Sequence, residues 1–343
     1  MPFQLKPVSQ QVIVITGASS GIGLATARAA AEQGARVVLA ARNEEALSAI
    51  SAEITANGGE ATHVVADVGR RDDVQRIADA AIARFGGFDT WVNDAGVSIY
   101  GKLEEIADED SQRLFQTNFW GVVYGSLIAV AHLKSRGGAL INVGSVVSDM
   151  AIPLQGMYSA SKHAIKGFTD ALRMELIHDQ APVSVTLIKP GSIDTPFPEH
   201  AKKYVPNQPD VPAPVYPPEE VARAILFAAA HPKRDLYIGS SSRLMSVGMR
   251  TMPGVMDKVA SRAFVAGQMK DEPARDYEGT LHRAGEGGRV RGSHPGYVMK
   301  RSFYTQASMH PGWTTAAMAA VAGVATAVMI NRARSGARHN YEI

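Results

Sequence analysis

The chain has no cysteine among its 343 residues, which excludes disulfide bonds, thiolate catalysis and cysteine-ligated metal sites. It also lacks a strong charge of either sign, because the net charge of +2 gives no indication of nucleic-acid binding. Residues 1–7 lack the apolar core of a signal peptide, so we expect the protein in the cytoplasm. The hydrophobic share of 45% is ordinary for a globular protein with a sizeable core.

Apolar runs alternate with helix-forming stretches along most of the chain. The predicted strands are 11–15, 35–40, 61–66, 89–92, 139–143, 183–188 and 235–238. The predicted helices are 22–33, 43–57, 71–85, 107–135, 156–178 and 217–230. This alternation is typical of the α/β class, in which helices flank both faces of a doubly wound parallel sheet. We therefore predict one such domain over 8–240 and a C-terminal extension over 241–343.

A glycine-rich segment connects the first predicted strand to the first predicted helix. Glycines allow a tight turn and close approach of the backbone to a phosphate, and the helix start offers unpaired N–H groups to that anion. The segment therefore predicts a nucleotide site. Its residues at that site are Thr16, Gly17, Ser19, Ser20, Gly21, Ile22 and Gly23.

A second group of residues carries proton-transfer chemistry. Tyr158 and Lys162 are four residues apart, which places them on one face of a helix. A nearby cation favours the phenolate, so we expect Lys162 to lower the pKa of Tyr158 and allow proton exchange near neutral pH. Ser145 follows the apolar run 139–144, at the strand end where open α/β sheets bind ligands, and Ser148 is an alternative to it.

Together these motifs resemble the short-chain dehydrogenase/reductase family over about two thirds of the chain. The resemblance implies a Rossmann fold, a homo-oligomer and a catalytic tetrad of Asn118, Ser145, Tyr158 and Lys162. It favours Ser145 over Ser148, because the family places its serine about thirteen residues before the tyrosine. It implies that Tyr158 is the general acid or base and that Ser145 hydrogen-bonds the substrate oxygen. Lys162 would tune Tyr158 and hold the nicotinamide ribose, and Asn118 would position a water molecule.

The resemblance also implies further contacts with a dinucleotide. Asp94 departs from the family pattern Asn-Asn-Ala-Gly, which has asparagine at that position. Backbone at Ile193 and the Thr195 hydroxyl would contact the nicotinamide carboxamide. The other cofactor-binding positions that it implies are Asp67, Val68, Asn93, Ala95, Gly96, Pro190 and Gly191.

The choice of cofactor follows from a missing acid. An acidic residue at the end of the second strand binds the ribose 2′-hydroxyl of NAD and repels a 2′-phosphate. Residues 40–43 contain no acid, and Arg42 can make charge-assisted hydrogen bonds to a phosphate. The sequence therefore favours NADP (as NADPH in the reductive direction). It calls for no metal, because Tyr158 and Lys162 can supply the acid.

The sequence supports an oxidoreductase acting on a carbonyl or alcohol, and it leaves two alternatives. One is a nucleotide-binding regulatory protein without catalysis, and the other is a membrane-tethering module. The residues predicted to line the pocket are apolar, which favours an apolar small-molecule substrate. They are Val97, Ile99, Ile152, Leu154, Met157 and Phe197.

The C-terminal extension shows no steady periodicity over 241–312, and we interpret its glycine-rich stretch 285–292 as a flexible linker. Residues 313–330 then run for eighteen positions without a charge, which is at the short end for a membrane span. Two interpretations stay open for this run: it associates with a membrane, or it packs on the catalytic domain.

Overall fold

The fold is that of a computed structural model, which describes residues 4–309. Its central sheet has seven parallel strands in the order β7-β6-β5-β4-β1-β2-β3. They are β1 (Val12–Thr16), β2 (Arg36–Ala41), β3 (Glu60–Val65), β4 (Thr90–Asn93), β5 (Gly138–Val143), β6 (Val183–Pro190) and β7 (Asp235–Ile238). This confirms the predicted doubly wound α/β sheet, with strand order reversing between β1 and β4.

The described part of the chain contains eleven α-helices, several of which cover the two faces of the sheet. They are α1 (Gly21–Glu32), α2 (Glu44–Ala56), α3 (Arg71–Phe85), α4 (Asp108–Phe115), α5 (Gly121–Arg136), α6 (Gly156–His178), α7 (Phe197–His200), α8 (Pro218–Ala230), α9 (Ser240–Thr251), α10 (Pro253–Gly267) and α11 (Phe303–Met309). Three two-stranded pairs complete the described part. They join Ile99–Tyr100 to Lys202–Lys203, Ser192–Ile193 to Val215–Tyr216, and Asn207–Pro209 to Met269–Pro273.

The sheet is buried on both faces, which explains its nearly continuous apolar strands. Side chains of β1 alternate between the two faces. Ile13 and Ile15 pack in the cluster with Leu24 of α1, whereas Val12 and Val14 pack in the cluster with Ile77 of α3. Because all seven strands run parallel, the loops that follow their carboxyl ends lie at one edge of the sheet, where such sheets bind ligands.

The predicted helix 107–135 is continuous but irregular. Between α4 and α5 lies a π-helical turn, Gln116–Trp120, which contains Asn118. Such turns are frequent at functional sites because they redirect a side chain. Within residues 4–309, Asp108–Arg136 is the single helix long and apolar enough to cross a membrane, and 56% of its most apolar window is buried. That burial is typical of a core helix.

The extension contains regular structure that the sequence analysis missed. Helices α9, α10 and α11 and the strand Met269–Pro273 occupy a region without predicted elements. The interpretation of 285–292 as a flexible linker was wrong, because this segment packs on the glycine-rich turn: the Gly288 N–H donates to the Ser19 carbonyl oxygen. The run 313–330 lies outside the described residues, so its membrane association stays a prediction.

A buried network of polar side chains joins the middle of the sheet to α5 and α6. The Asn93 amide donates to Ser126 (3.2 Å) and to the Asn142 oxygen (2.9 Å), and the Asn142 amide donates to Thr169 (2.9 Å). All four side chains are at most 3% exposed. Removing one member would leave buried polar groups without partners.

We therefore expect Asn142→Ala to lower the free energy of unfolding by about 1–3 kcal/mol, the cost of a buried unsatisfied polar group. Urea denaturation measures this change. Asn57→Ala, at an exposed helix end, is the control and should change stability by less than about 0.5 kcal/mol. Equal stabilities of the two variants would contradict the assigned role of the network.

Candidate active site

A cavity of about 290 Å³ follows the carboxyl edge of the sheet. It runs from the end of β2, at Arg42, past the glycine-rich turn to the start of α6, at Tyr158. After the ligand parts expected there, we call the end at Arg42 the adenosine end and the end at Tyr158 the substrate end. Most of the residues predicted for the site line it. They are Gly17, Ser19, Ser20, Gly21, Ile22, Arg42, Asp67, Val68, Ala95, Gly96, Ser145, Tyr158, Lys162, Pro190, Gly191, Ile193 and Thr195.

The glycine-rich turn is tight for a measurable reason. Gly17 has φ +73°, and a Cβ there would lie 2.9 Å from the Ala95 backbone. A Cβ on Gly23 would lie 2.3 Å from the Gly17 carbonyl oxygen. Thr16 accepts hydrogen bonds from the backbone N–H groups of Asp94 (3.1 Å) and Ala95 (3.2 Å). Thr16 and Gly23 therefore shape the turn without lining the cavity.

Two other predicted residues also lie outside the cavity wall. Asn93, predicted as a cofactor contact, belongs instead to the buried polar network described above. Asn118 accepts from the Val97 N–H (2.8 Å) and donates to the Val97 oxygen (3.0 Å) and to Ser161 (3.2 Å). Its amide is thereby fully engaged in holding the wall at Val97 against α6.

Ser145 and Ser148 have different surroundings. The Ser145 hydroxyl lies on the cavity wall, accepts from the Val147 N–H (3.3 Å) and donates to the Pro190 carbonyl (3.5 Å). Ser148 is 1% exposed, and its hydroxyl accepts from the Ser145 N–H at 3.2 Å. Ser148 thus holds the backbone that presents Ser145 and does not line the cavity.

The electrostatics of the tyrosine and lysine differ from the sequence expectation. Burial raises the pKa of Tyr158, and the Ser145 hydroxyl lowers it only in part. The Lys162 Nζ lies 5.6 Å from the Tyr158 ring centroid and donates to the Val143 carbonyl at 2.9 Å. Burial lowers the pKa of Lys162 to about 8, while Asp94 raises it. The predicted lowering of the Tyr158 pKa was wrong for this arrangement, because desolvation outweighs the effect of the Ser145 hydroxyl and the charge of Asp94 raises the pKa further.

Asp94 is the carboxylate that stands where the family pattern has asparagine. Its Oδ2 lies 2.9 Å from where a Gly23 Cβ would be, at the start of α1. Burial raises its pKa to about 7, and Lys162 and the Gly23 N–H oppose that shift. The site therefore holds an acid and a base that both titrate near neutral pH, next to the turn predicted to bind phosphate.

At the adenosine end, basic groups surround a carboxylate. Arg42 donates to the carbonyl oxygens of Thr280 (2.5 Å) and Leu281 (3.3 Å). Asp67 accepts from its own loop at Gly69 and is paired with Arg113 of α4. Burial lowers the Arg42 pKa and Asp67 opposes this, so the guanidinium stays charged.

The substrate end is apolar, as predicted, but only partly from the predicted residues. Val97, Ile152 and Phe197 line it. Ile99, Leu154 and Met157 do not, because they pack in neighbouring apolar clusters. The sequence analysis missed further wall residues. Only for Met245 and Phe264 could a helical period, within 240–267, have given a hint. They are Tyr100, Val147, Met150, Gln155, His200, Val211, Pro212, Ala213, Pro214, Met245 and Phe264.

The residues that the structure describes contain no group of three or more His, Asp or Glu that could hold a metal ion. The chemistry available on the cavity wall is therefore that of a hydroxyl, a phenol, an ammonium and a carboxyl. These four groups share the cavity wall with the glycine-rich turn.

A family model described as short chain dehydrogenase matches residues 11–204. The chain belongs to the short-chain dehydrogenase/reductase family. It is 49% identical over 329 residues to the uncharacterized oxidoreductase YxnA of Bacillus subtilis (strain 168), covering 95% of this chain and 92% of that one. It is 33% identical over 270 residues to dehydrogenase/reductase SDR family member 7B of Bos taurus, covering 75% and 82%.

Two solved structures share the fold. One is an alcohol dehydrogenase from the archaeon Thermococcus sibiricus complexed with 5-hydroxy-NADP, with 29% identity and a TM-score of 0.58. The match covers 66% of this chain and 95% of the alcohol dehydrogenase chain. The other is a short-chain dehydrogenase/reductase from Burkholderia phymatum in complex with NAD, with 27% identity and a TM-score of 0.62, covering 73% and 96%. One of these neighbours is thus complexed with an NADP derivative and the other with NAD.

The pKa values near neutrality predict that a dinucleotide binds more weakly as pH rises. Below about pH 7 Asp94 is neutral and Lys162 is charged, whereas above about pH 8 Asp94 is negative and Lys162 is neutral. A phosphate-bearing ligand then meets a more negative site, and we expect affinity to fall on the order of tenfold or more between pH 6 and 9. Fluorescence titration with NADPH across this range measures the change.

Asp94→Asn should remove one of the two titrating charges. We expect the variant to bind NADPH more tightly than wild type at pH 8, and its binding to be coupled to one proton fewer. Asp72→Asn, on the exposed start of α3, is the control and should leave the profile unchanged. A profile that Asp94→Asn does not alter would show that this carboxyl does not act on the bound dinucleotide.

Proposed function

We propose that this protein is an NADP-dependent oxidoreductase that interconverts a carbonyl compound and a secondary alcohol. The observation that carries the proposal is the meeting of Ser145, Tyr158 and Lys162 on the wall of a cavity that continues to the glycine-rich turn. Family membership supports the oxidoreductase class, and the choice of NADP and of a CH–OH substrate is the further step.

The residues present fit a nicotinamide dinucleotide. A side chain on Gly17 or Gly23 would collide with backbone, so both positions keep the turn compact beside the cavity. Thr195 lies beside Gly21, within 3.4 Å of where a Cβ would stand, so the turn and the loop after β6 close on the same space. The turn would hold the pyrophosphate, Asp67 and Val68 the adenine, and Lys162, Ile193 and Thr195 the nicotinamide riboside.

The chemical roles of the side chains follow from their positions. When bound, the nicotinamide supplies or accepts the hydride. In reduction Tyr158 donates its phenolic proton to the carbonyl oxygen, and Ser145, on the same cavity wall, donates a hydrogen bond to that oxygen. The high pKa of the buried phenol keeps that proton in place until an oxygen with developing negative charge accepts it. In oxidation the tyrosinate form of Tyr158, stabilised by the charge of Lys162, takes the proton from the alcohol.

Lys162 and Asn118 complete the proposed tetrad. Lys162, held by the Val143 carbonyl, supplies positive charge that stabilises the tyrosinate left after proton donation. Asn118 acts through the backbone of Val97, which it fixes by two hydrogen bonds. The Val97 carbonyl and the Ser161 hydroxyl beside it are groups that a relay water could bind, as the proposed role of Asn118 requires.

We propose an apolar, uncharged substrate. The substrate end is walled by Met150, Ile152, Phe197, Met245 and Phe264. A charged group on the substrate would lose its hydration there without gaining a partner of opposite charge.

Catalysis is favoured over a purely regulatory role as a nucleotide-binding protein. A regulatory protein has no need of Ser145, Tyr158 and Lys162 together on the cavity wall. The expected cytoplasmic location, homo-oligomeric state and membrane association through 313–330 remain proposals that rest on the sequence.

Tyr158→Phe should remove most turnover while NADPH still binds. Loss of a general acid costs about 10²–10⁴-fold in rate, and the ring itself is retained. NADPH oxidation with a panel of apolar ketones and aldehydes measures turnover. Tyr297→Phe, which changes an exposed tyrosine, is the control. Turnover of the Tyr158 variant close to wild type would overturn the assignment.

Arg42→Ala should weaken NADPH binding by about tenfold to a hundredfold and leave NADH binding equal or tighter. The reason is the loss of charge-assisted hydrogen bonds to the 2′-phosphate, which NADH lacks. Equilibrium titration of both cofactors measures the preference. Arg250→Ala, exposed on α9, is the matched control. If the ratio of the two affinities is the same in both variants, Arg42 does not select NADP.

A further inference from the structure

A segment of the C-terminal extension forms part of the cavity wall. Residues 280–289, which we call the strap, cross the cavity at its adenosine end. The family match stops at residue 204, so the strap lies beyond it. Four residues of the strap line the cavity, namely Thr280, Ala284, Gly285 and Glu286.

The strap pairs directly with the glycine-rich turn through the main chain. The Gly288 N–H donates to the Ser19 carbonyl (2.8 Å), and the Gly21 N–H donates to the Arg289 carbonyl (2.9 Å). A Cβ on Gly287 would lie 2.3 Å from the Ala46 Cβ, so the fit to α2 leaves no room for a side chain. A ligand seated on this turn therefore has the strap as its immediate neighbour.

The strap also engages the polar groups at the end of β2. Arg42 donates to its carbonyl oxygens at Thr280 and Leu281, and Asn43 donates to that of Gly285 at 2.8 Å. These contacts fix the guanidinium that we assign to the 2′-phosphate, while three of its five N–H groups remain for other acceptors.

The strap is anchored to the apolar core at one end and to α7 at the other, with polar contacts between them. Leu281 is fully buried in the cluster with Val97 and Ile99. At the other end Arg289 forms an ion pair with Glu199 at 2.6 Å, with side chains 46% and 24% exposed.

Residues 282–284 between these anchors are exposed. Between the anchors the contacts are polar: His282 is hydrogen-bonded to Asp110 (2.6 Å), Arg283 pairs with Asp276, and Asn43 donates to the Gly285 carbonyl. The part of the strap after Leu281 can therefore lift while the buried Leu281 stays in the apolar core.

We propose that the strap is a binding element of the dinucleotide site, closing over the adenosine half of the bound dinucleotide so that release requires the strap to open. The proposal rests on the proposed function. Its physical basis is that the strap joins Glu199, on the helix after Thr195, to the glycine-rich turn, so that it bridges the two sides of the adenosine end.

Two variants weaken the strap at different contacts in the full-length protein. Arg289→Ala removes the ion pair with Glu199, and Gly287→Val forces the strap away from Ala46. We expect release of NADPH to accelerate about two- to fivefold in the first and about tenfold or more in the second. Arg275→Ala removes a comparable exposed ion pair, with Glu272, outside the strap and should leave release unchanged.

Stopped-flow fluorescence of pre-bound NADPH, displaced by excess ligand, measures release, and thermal unfolding of each variant confirms an intact fold. Trypsin cleavage at Arg283 and Arg289 provides an independent measurement, because bound NADPH should protect both sites if it holds the strap closed. If NADPH release is unchanged in Arg289→Ala and in folded Gly287→Val, and trypsin cleavage is equal with and without NADPH, the proposed role of the strap is wrong. The proposed function is not affected by that outcome. Failure of wild type to bind NADPH or NADH would overturn the proposed function as well.

Discussion

The site depends on the close approach between the glycine-rich turn and the loop that follows β4. Gly17 lies so near Ala95 that a single added carbon would come within 2.9 Å of the backbone, and the Thr16 hydroxyl fastens the two segments together. This contact sets where α1 begins. It also brings Asp94 and Gly96 next to Lys162, so that the turn proposed to bind phosphate and the groups proposed to transfer protons share one cavity.

The sequence alone was sufficient for those parts of the molecule in which local pattern and tertiary position agree. Apolar β-branched runs predicted all seven strands, because a parallel sheet buried on both faces requires them. Gly17 and Gly21 mark positive φ angles, which the spacing of the turn indicates directly. Ser145 could be separated from Ser148 only by family spacing, since both serines follow the same strand.

What the sequence could not predict depends on contacts between distant residues. Gly285 and Gly288 carry the composition of a linker, yet they pack on Asn43 and Ser19, more than 240 residues away. Phe264 reaches the substrate end from a helix whose other apolar residues are largely exposed, which disguises its period. The charge state of the site was likewise hidden, because the desolvation of Tyr158 depends on the whole wall around it and not on Lys162 alone.

The extension therefore changes the physical environment of the catalytic groups. Met245 and Phe264 cover the substrate end, and the strap covers the adenosine end. Closing a cavity on both sides removes water, and in a medium of lower dielectric each charge acts over a longer distance and with greater energy. Lys162 and Asp94 then influence Tyr158 more strongly than they would at a surface. The relative from Bacillus subtilis aligns over 95% of the chain, so this enclosing region belongs to the shared architecture of the two proteins and not to a separate appendage.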